Sequence, residues 1–346
     1  MKVIMTILFA VSFICMPASA LEINVPAVPD SGLNFMPENT ESFSEGILQI
    51  LSKVWENMHP TYVDALNLCI SIVCAVFVVS VFHGLGYANS HLLGIVGSIV
   101  IASFFISDSK SMIQLASDTI HELTDYGKLL IPVMTTAMAA QGGIASSHTL
   151  HIGTVFFNTI LGSILSALFI PAVYFYLVFS VAGAALEDST LKNFGCTIRK
   201  SITWCLKTLL IIFTTYMSIT GVITGATDIA ALKAAKVTIS SVVPVVGGIL
   251  SDSSEAILVS AGLIKNAAGV YGILAVLAVC AGPFLQIGIH YLLLRITAVL
   301  CSFWGEKNQI GLIEDFSVAL GLLLAMTGSV CLLLLVSIVC FLKGMN

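Results

Sequence analysis

The sequence predicts an all-α, polytopic integral membrane protein with about 7–9 transmembrane helices, each about 20 residues long. A signal peptide precedes them, and one of the apolar segments is a broken, re-entrant helical hairpin. Three observations carry this. Of 346 residues, 58% are hydrophobic and only 10% charged, against about 25% charged in an ordinary soluble domain. Apolar runs long enough to cross a bilayer recur along the chain. Residues 228–272 are nearly apolar yet interrupted where a membrane helix should not break.

Residues 1–20 read as a secretory signal peptide. Met1 and Lys2 make a short positive start, residues 3–15 an apolar core, and Ala18-Ser19-Ala20 an A-x-A exit with cleavage after Ala20. The other reading is an uncleaved first membrane helix, and in both cases the segment beginning at Leu21 is exported. Residues 21–64 form an acidic extracytoplasmic arm, with Glu22, Asp30, Glu38, Glu41, Glu45, Glu56 and Asp64 against Lys53 alone. Within it, residues 42–58 suit a short amphipathic helix with Phe43, Ile47, Ile50, Leu51 and Val54 on one side. The arm is too small to bury a core of its own, so it is expected to lie on the membrane surface or on a partner.

Residues 65–225 are read as an N-terminal transmembrane bundle. Spans 65–82 and 91–107 are joined by the tiny connector 84–90, so they are antiparallel neighbours. Residues 108–128 read as a polar, mostly acidic loop (Asp108, Asp118, Glu122, Asp125). Residues 129–145 form a weaker span rich in small residues, among them Ala137, Ala139, Ala140, Gly142 and Gly143, which let helices approach closely in lipid. Residues 152–186 as one helix would run about 52 Å, too long for a hydrocarbon core of about 30 Å. Pro171, near the middle, therefore divides them into two spans. That places the loop 187–201, with Lys192, Arg199 and Lys200, in the cytoplasm, as the positive-inside rule prefers. Residues 202–225 then cross outward. Lys207 snorkels to the cytoplasmic interface or serves a polar interior. Gly221 and Gly225, at G-x-x-x-G spacing, are candidates for close helix packing.

Residues 226–267 are the broken hairpin. Lys233, Lys236 and Lys265 bracket two hydrophobic runs, 237–250 and 256–264, neither of which reaches the ~20 apolar residues of a simple span. Pro244, Gly247 and Gly248 interrupt the first run, and Asp252-Ser253-Ser254-Glu255 separates the two. Folded about position 249, the segment brings Lys233 opposite Lys265 with Lys236 beside them, and sets Asp252 and Glu255 near the tip. Irregular backbone at membrane depth is tolerated only where it is buried in protein or lines a watery cavity, and ionisable groups there face a cavity or a partner. Lys233, Lys236, Pro244, Gly247, Gly248, Asp252, Glu255 and Lys265 are therefore the candidate conduit or subunit-contact residues. The alternative is a hairpin lying flat, with lysines and acids all in the interface.

Residues 268–346 complete the chain as C-terminal transmembrane helices. Residues 268–304 are again too long for one span and are divided by Pro283, with His290 and Arg295 in the second half. Internal pairing of these two with Asp228 or Glu314 stays open. Residues 316–342 form one long helix ending at Lys343, which suits a cytoplasmic C-terminus and brings the count to about nine spans.

The composition also excludes functions. A net charge of -5 gives no basic footprint for nucleic acid. The nine cysteines contain no C-x-x-C pair, and most sit in apolar runs as small packing residues. No G-x-S-x-G elbow, H-E-x-x-H or P-loop is present, so neither an enzyme nor a cofactor is expected. His148 and His151, three apart, fall short of the three or four ligands of a zinc site, so no metal is expected. A stand-alone secondary transporter remains the second reading, because discontinuous helices mark such proteins. Against it, the two halves show no persuasive internal repeat.

The C-terminal half resembles the stage III sporulation protein AE family of endospore-forming Firmicutes. The likeness is carried by Leu232-Lys233-Ala234-Ala235-Lys236, by Ser240-Ser241-Val242-Val243-Pro244-Val245-Val246-Gly247-Gly248, and by the Leu250-Ser251-Asp252 turn. Ser260-Ala261-Gly262-Leu263-Ile264-Lys265-Asn266-Ala267-Ala268-Gly269 extends it. The resemblance implies a multi-pass protein of the mother-cell membrane around the forespore. It implies a subunit of a secretion-like channel complex that sustains endospore development and late forespore gene expression. The partners it implies are the other stage III operon proteins: an ATPase-like protein, small membrane subunits and ring-forming subunits. Stage II sporulation protein Q is implied indirectly, and membrane lipid directly.

Overall fold

The computed structural model describes residues 26–37, 43–85, 90–242 and 247–343, with backbone alone at 90–91, 221–262, 264 and 265. Among these residues every regular element is helical. The arm holds a single turn, α1 (Asp30–Leu33), and an amphipathic helix, α2 (Phe43–Asn57). Then come α3 (His59–Gly84), α4 (Ser90–Ala140), α5 (Ile144–Ile164), α6 (Ile170–Ala185), α7 (Ser189–Val242), α8 (Gly247–Cys301) and α9 (Lys307–Lys343). Helix α5 runs into α6 through a π-helical stretch, Leu165–Phe169.

Six of these rods are long and apolar enough to cross a membrane: His59–Gly84, Leu92–Ala140, Ile144–Ala185, Ser189–Thr220, Asn266–Cys301 and Lys307–Lys343. Among the described residues that is six candidates where about nine spans were expected, and the cause is the same at each difference. A proline or a polar run that reads as a break is carried inside a helix. Residues 108–128 are no loop but the middle of α4, where Met112, Ile113, Ala116, Ile120 and Leu123 recur at helical spacing and are buried. Pro171 follows directly on the π-helical stretch. A proline lacks the N–H for the i−4 bond and crowds that carbonyl, and the wider π turn takes up the misfit. Pro283 and the unflagged Pro132 also sit within continuous helices.

The arm lies on the chain's own bundle, which resolves where its apolar face goes. Ile50 and Val54 of α2 cluster with Leu274 and Ala278 of α8, while Phe43 and Leu51 stay exposed. Gly32 seats against Val279, and Ser31 donates a hydrogen bond to the Glu122 carboxylate of α4. Lys53 closes the arm on itself by donating to the Met36 carbonyl at 2.9 Å.

Helix α9 runs through the centre, burying Leu312, Phe316, Leu320, Leu323, Met326, Leu334, Ile338 and Phe341. The C-terminal end of α3 and the turns after α6 and α8 gather at one end of the bundle. There Ser80 donates to the Trp304 carbonyl at 2.7 Å, His83 lies 3.6 Å from Glu306, and Asn308 bridges Lys192 and Glu187. Towards the opposite end, Leu342 packs on Gly269, and Ile338 and Leu130 on Gly272. Lys343 therefore lies towards the end where α3 starts. The α4–α5 turn at that end passes through Gly142 at φ 93°, a conformation that costs other residues a Cβ clash.

The helices are also long. At 1.5 Å per residue, the 26 residues of α3 span about 39 Å, but the 51 to 55 residues of α4, α7 and α8 span about 76–82 Å. A core of about 30 Å takes only about 39 Å of helix even at a 40° tilt.

Candidate functional site

The sequence-predicted hairpin falls where α7 ends and α8 begins. Lys233 and Lys236 lie on the last turns of α7. Gly247, Gly248, Asp252, Glu255 and Lys265 lie on the first turns of α8, with Gly221 and Gly225 further back on α7. At all of these the structure describes the backbone alone; Pro244, like Ala18 and Ala20, lies outside the described residues. One point of geometry changes. The backbone is helical from Gly247 onward, so Asp252 to Glu255 is a helical turn, not a tip about position 249. The described part of α7 ends at Val242 and that of α8 begins at Gly247.

Whether this region meets water is a question of accessibility. Ser253→Cys, in a chain whose exposed Cys74 has been replaced, is expected to react with a small aqueous thiol reagent in native membranes. Asp125→Cys is the control, on a side chain 69% exposed. Reaction at 125 with none at 253 would remove the watery cavity.

Where side chains are described, the most unusual arrangement is a buried ionic pair that the sequence did not flag. His290 of α8, 3% exposed, sets Nε2 3.3 Å from Oδ1 of Asp108 on α4. Its Nδ1 lies 2.9 Å from the Gln286 carbonyl one turn back. A carbonyl only accepts, so Nδ1 carries a hydrogen. That leaves Nε2 as the ring atom facing the Asp108 carboxyl group. Asp64 of α3 adds a second negative group to the field at the ring. Ionisable groups inside a membrane bundle are costly, and most mark a pathway or a contact that needs them. Phe105, one turn before Asp108 on α4, stacks on Phe316 of α9 with ring centroids 4.1 Å apart.

A second polar group lies towards the end where the turns gather. Tyr176 donates to Asp315 at 2.9 Å, and Arg199 faces the same carboxylate. With Ser180, Lys192 and Asn308 they line a cavity of about 500 Å³. The remaining sequence candidates resolve simply. Arg295 does meet Glu314, at 4.0 Å, but both are half-exposed, and such pairs contribute about 0–1 kcal/mol. His151 bonds Thr135 at 2.9 Å. Among the described residues no three His, Cys, Asp or Glu side chains are grouped to hold a metal ion.

A family model described as Stage III sporulation protein AE matches residues 36–344. The Stage III sporulation protein AE of Bacillus subtilis (strain 168) is 23% identical over 175 residues, which is 51% of this chain and 44% of that protein. The chain thus covers less than half the length of this curated relative. No solved structure matches significantly.

Proposed function

This chain belongs to the stage III sporulation protein AE family, and from that premise we propose that it is a membrane subunit of the stage III sporulation channel. In this reading it is a multi-pass protein of the mother-cell membrane around the forespore. It works within a secretion-like apparatus that supports endospore development and late forespore gene expression. Its partners are the ATPase-like, small membrane and ring-forming products of the stage III operon, with stage II sporulation protein Q reached indirectly. The observation that carries the reading is the family match over nearly the whole described bundle, six of whose helices are apolar enough to cross a membrane.

Helix length supports an assembly role. Helices of about 76–82 Å overrun a core of about 30 Å at any ordinary tilt, so part of α4, α7 and α8 stands clear of the lipid, where partners can reach it. Lys192, Arg199, Lys200 and Lys307 lie near the gathered turns, and the positive-inside rule supports a cytoplasmic side for that end. The arm is then exported. Six crossings are an even number, so Lys343 returns to the outer side. An odd number of spans would return it to the cytoplasm instead.

Co-purification tests the proposal. A chain tagged at its C-terminus and extracted from sporulating cells in mild detergent is expected to bring down the other stage III proteins and stage II sporulation protein Q. Recovery of the chain alone, from membranes rich in those proteins, would sink the assembly reading in favour of a stand-alone transporter.

A further inference from the structure

Two cavities share a wall on one stretch of α7. The first, of about 520 Å³, lies where α7 meets α8 and α9 and is lined by Arg199, Lys200, Lys207, Trp204 and Tyr291. Among the described residues no carboxylate lines it. Arg199 also borders the neighbouring cavity that holds Asp315, but Lys200 and Lys207 meet no acid in their own. The second, of about 770 Å³, opens on the other side of Lys200 and Trp204 and is walled mainly by Leu168, Phe169, Ala172, Ile202 and Cys205 of α6, α7 and the π-helical stretch. A cationic chamber and an apolar groove therefore meet at one lysine and one tryptophan.

We propose that these paired cavities bind one anionic phospholipid, its phosphodiester in the chamber and an acyl chain in the groove. The cation set matches a phosphate. Arg199 offers a planar fork of donors, and Lys200 and Lys207 are compact charges on flexible stems. The two lysines stand about 10 Å apart along the helix, within reach of each other's side chains around one headgroup. Trp204 is 70% exposed. An indole that stays uncovered on a membrane helix belongs at the boundary between headgroups and tails, where its apolar body and polar N–H are both satisfied. Basic pockets between membrane helices on the cytoplasmic side hold anionic headgroups for the same reason. A free phosphate satisfies the chamber but leaves the groove empty, so the groove is what selects a lipid. The lipid site rests on the membrane placement proposed for this chain, but not on the sporulation assembly, so it is tested on the purified chain.

The test uses the full chain, delipidated in neutral detergent, with three probes: a phosphatidylglycerol, a phosphatidylcholine of the same acyl chains, and inorganic phosphate. Native mass spectrometry counts bound lipid and a thermal melt reads stabilisation. One phosphatidylglycerol is expected to be retained and to raise the melting temperature, with phosphatidylcholine and phosphate much weaker. Lys200→Gln with Lys207→Gln is expected to weaken phosphatidylglycerol by about 30-fold, equivalent to about 2 kcal/mol. Lys110→Gln, on another helix, is expected to leave it unchanged. Equal retention of the two lipids would overturn the proposal, as would full affinity in the double lysine variant. Phosphate stabilising as well as phosphatidylglycerol would show an anion site without a lipid. The wild-type lipid comparison stands even if the double variant folds poorly.

Discussion

Asp108→Ala is expected to destabilise the bundle by about 3–5 kcal/mol, read as a lowered thermal midpoint in detergent. The reason is the partner left behind. His290 is 3% exposed and has its Nδ1 committed to the Gln286 carbonyl, so it cannot turn to find another acceptor at Nε2. Breaking one side of a buried ionic pair leaves an uncompensated polar group, which costs about 3–5 kcal/mol, whereas replacing both partners by apolar residues of similar volume is often neutral. Asp108→Leu with His290→Phe is therefore expected to recover most of the loss. Asp108→Asn should be intermediate, because an amide oxygen still accepts from the ring. A single alanine substitution that moved stability by less than about 0.5 kcal/mol, the range of ordinary surface changes, would mean that water reaches the pair and shares its charge. The double variant also separates fold from function. A stable chain without the pair that no longer supports sporulation would assign the pair a role beyond packing.

That pair shows where the sequence was legible and where it was not. The all-helical, membrane-crossing character was plain, because a shortage of charge and long apolar runs are one-dimensional facts. The amphipathic arm helix was also readable: residues 42–58 were expected and Phe43–Asn57 is found. Asp108 was misread because the acids of residues 108–128 drew attention away from the spacing of Met112, Ile113, Ala116, Ile120 and Leu123 between them. That spacing, with period 3.6, would have called for a helix carrying its charges on one face. The prolines misled differently. Pro171 and Pro283 read as breaks because an isolated helix loses a hydrogen bond at each. In a packed bundle a π turn or neighbouring side chains absorb the loss, and no local sequence signal announces that. Partners far apart in the chain were least accessible. The sequence leaves the pairing of His290 open to Asp228 or Glu314, whereas its partner in the bundle is Asp108, 182 residues away in the chain.

Gly153→Ala should destabilise the chain, against the usual direction for a glycine inside a helix. In an open helix the change gains about 0.5–1 kcal/mol, because alanine loses less backbone freedom on folding. At Gly153 of α5 the added Cβ would fall on the Tyr216 ring of α7. That ring is not free to move aside without loss. Its hydroxyl donates to the Thr149 carbonyl at 3.1 Å, and Phe157 flanks it with ring centroids 5.8 Å apart. Overpacking costs about 1–3 kcal/mol and the lost hydrogen bond about 1 kcal/mol, so together they outweigh the propensity gain. Tyr216→Ala supplies the sign test. In that background the space is open, and the same glycine change should become neutral or stabilising. The coupling between the two substitutions, about 2 kcal/mol, lies within the range measured for residues in contact. Gly153→Ala that stabilised the wild-type chain as it does an open helix would show that α5 and α7 do not meet this closely. The seam joining the first three membrane spans to α7 would then have to be drawn elsewhere.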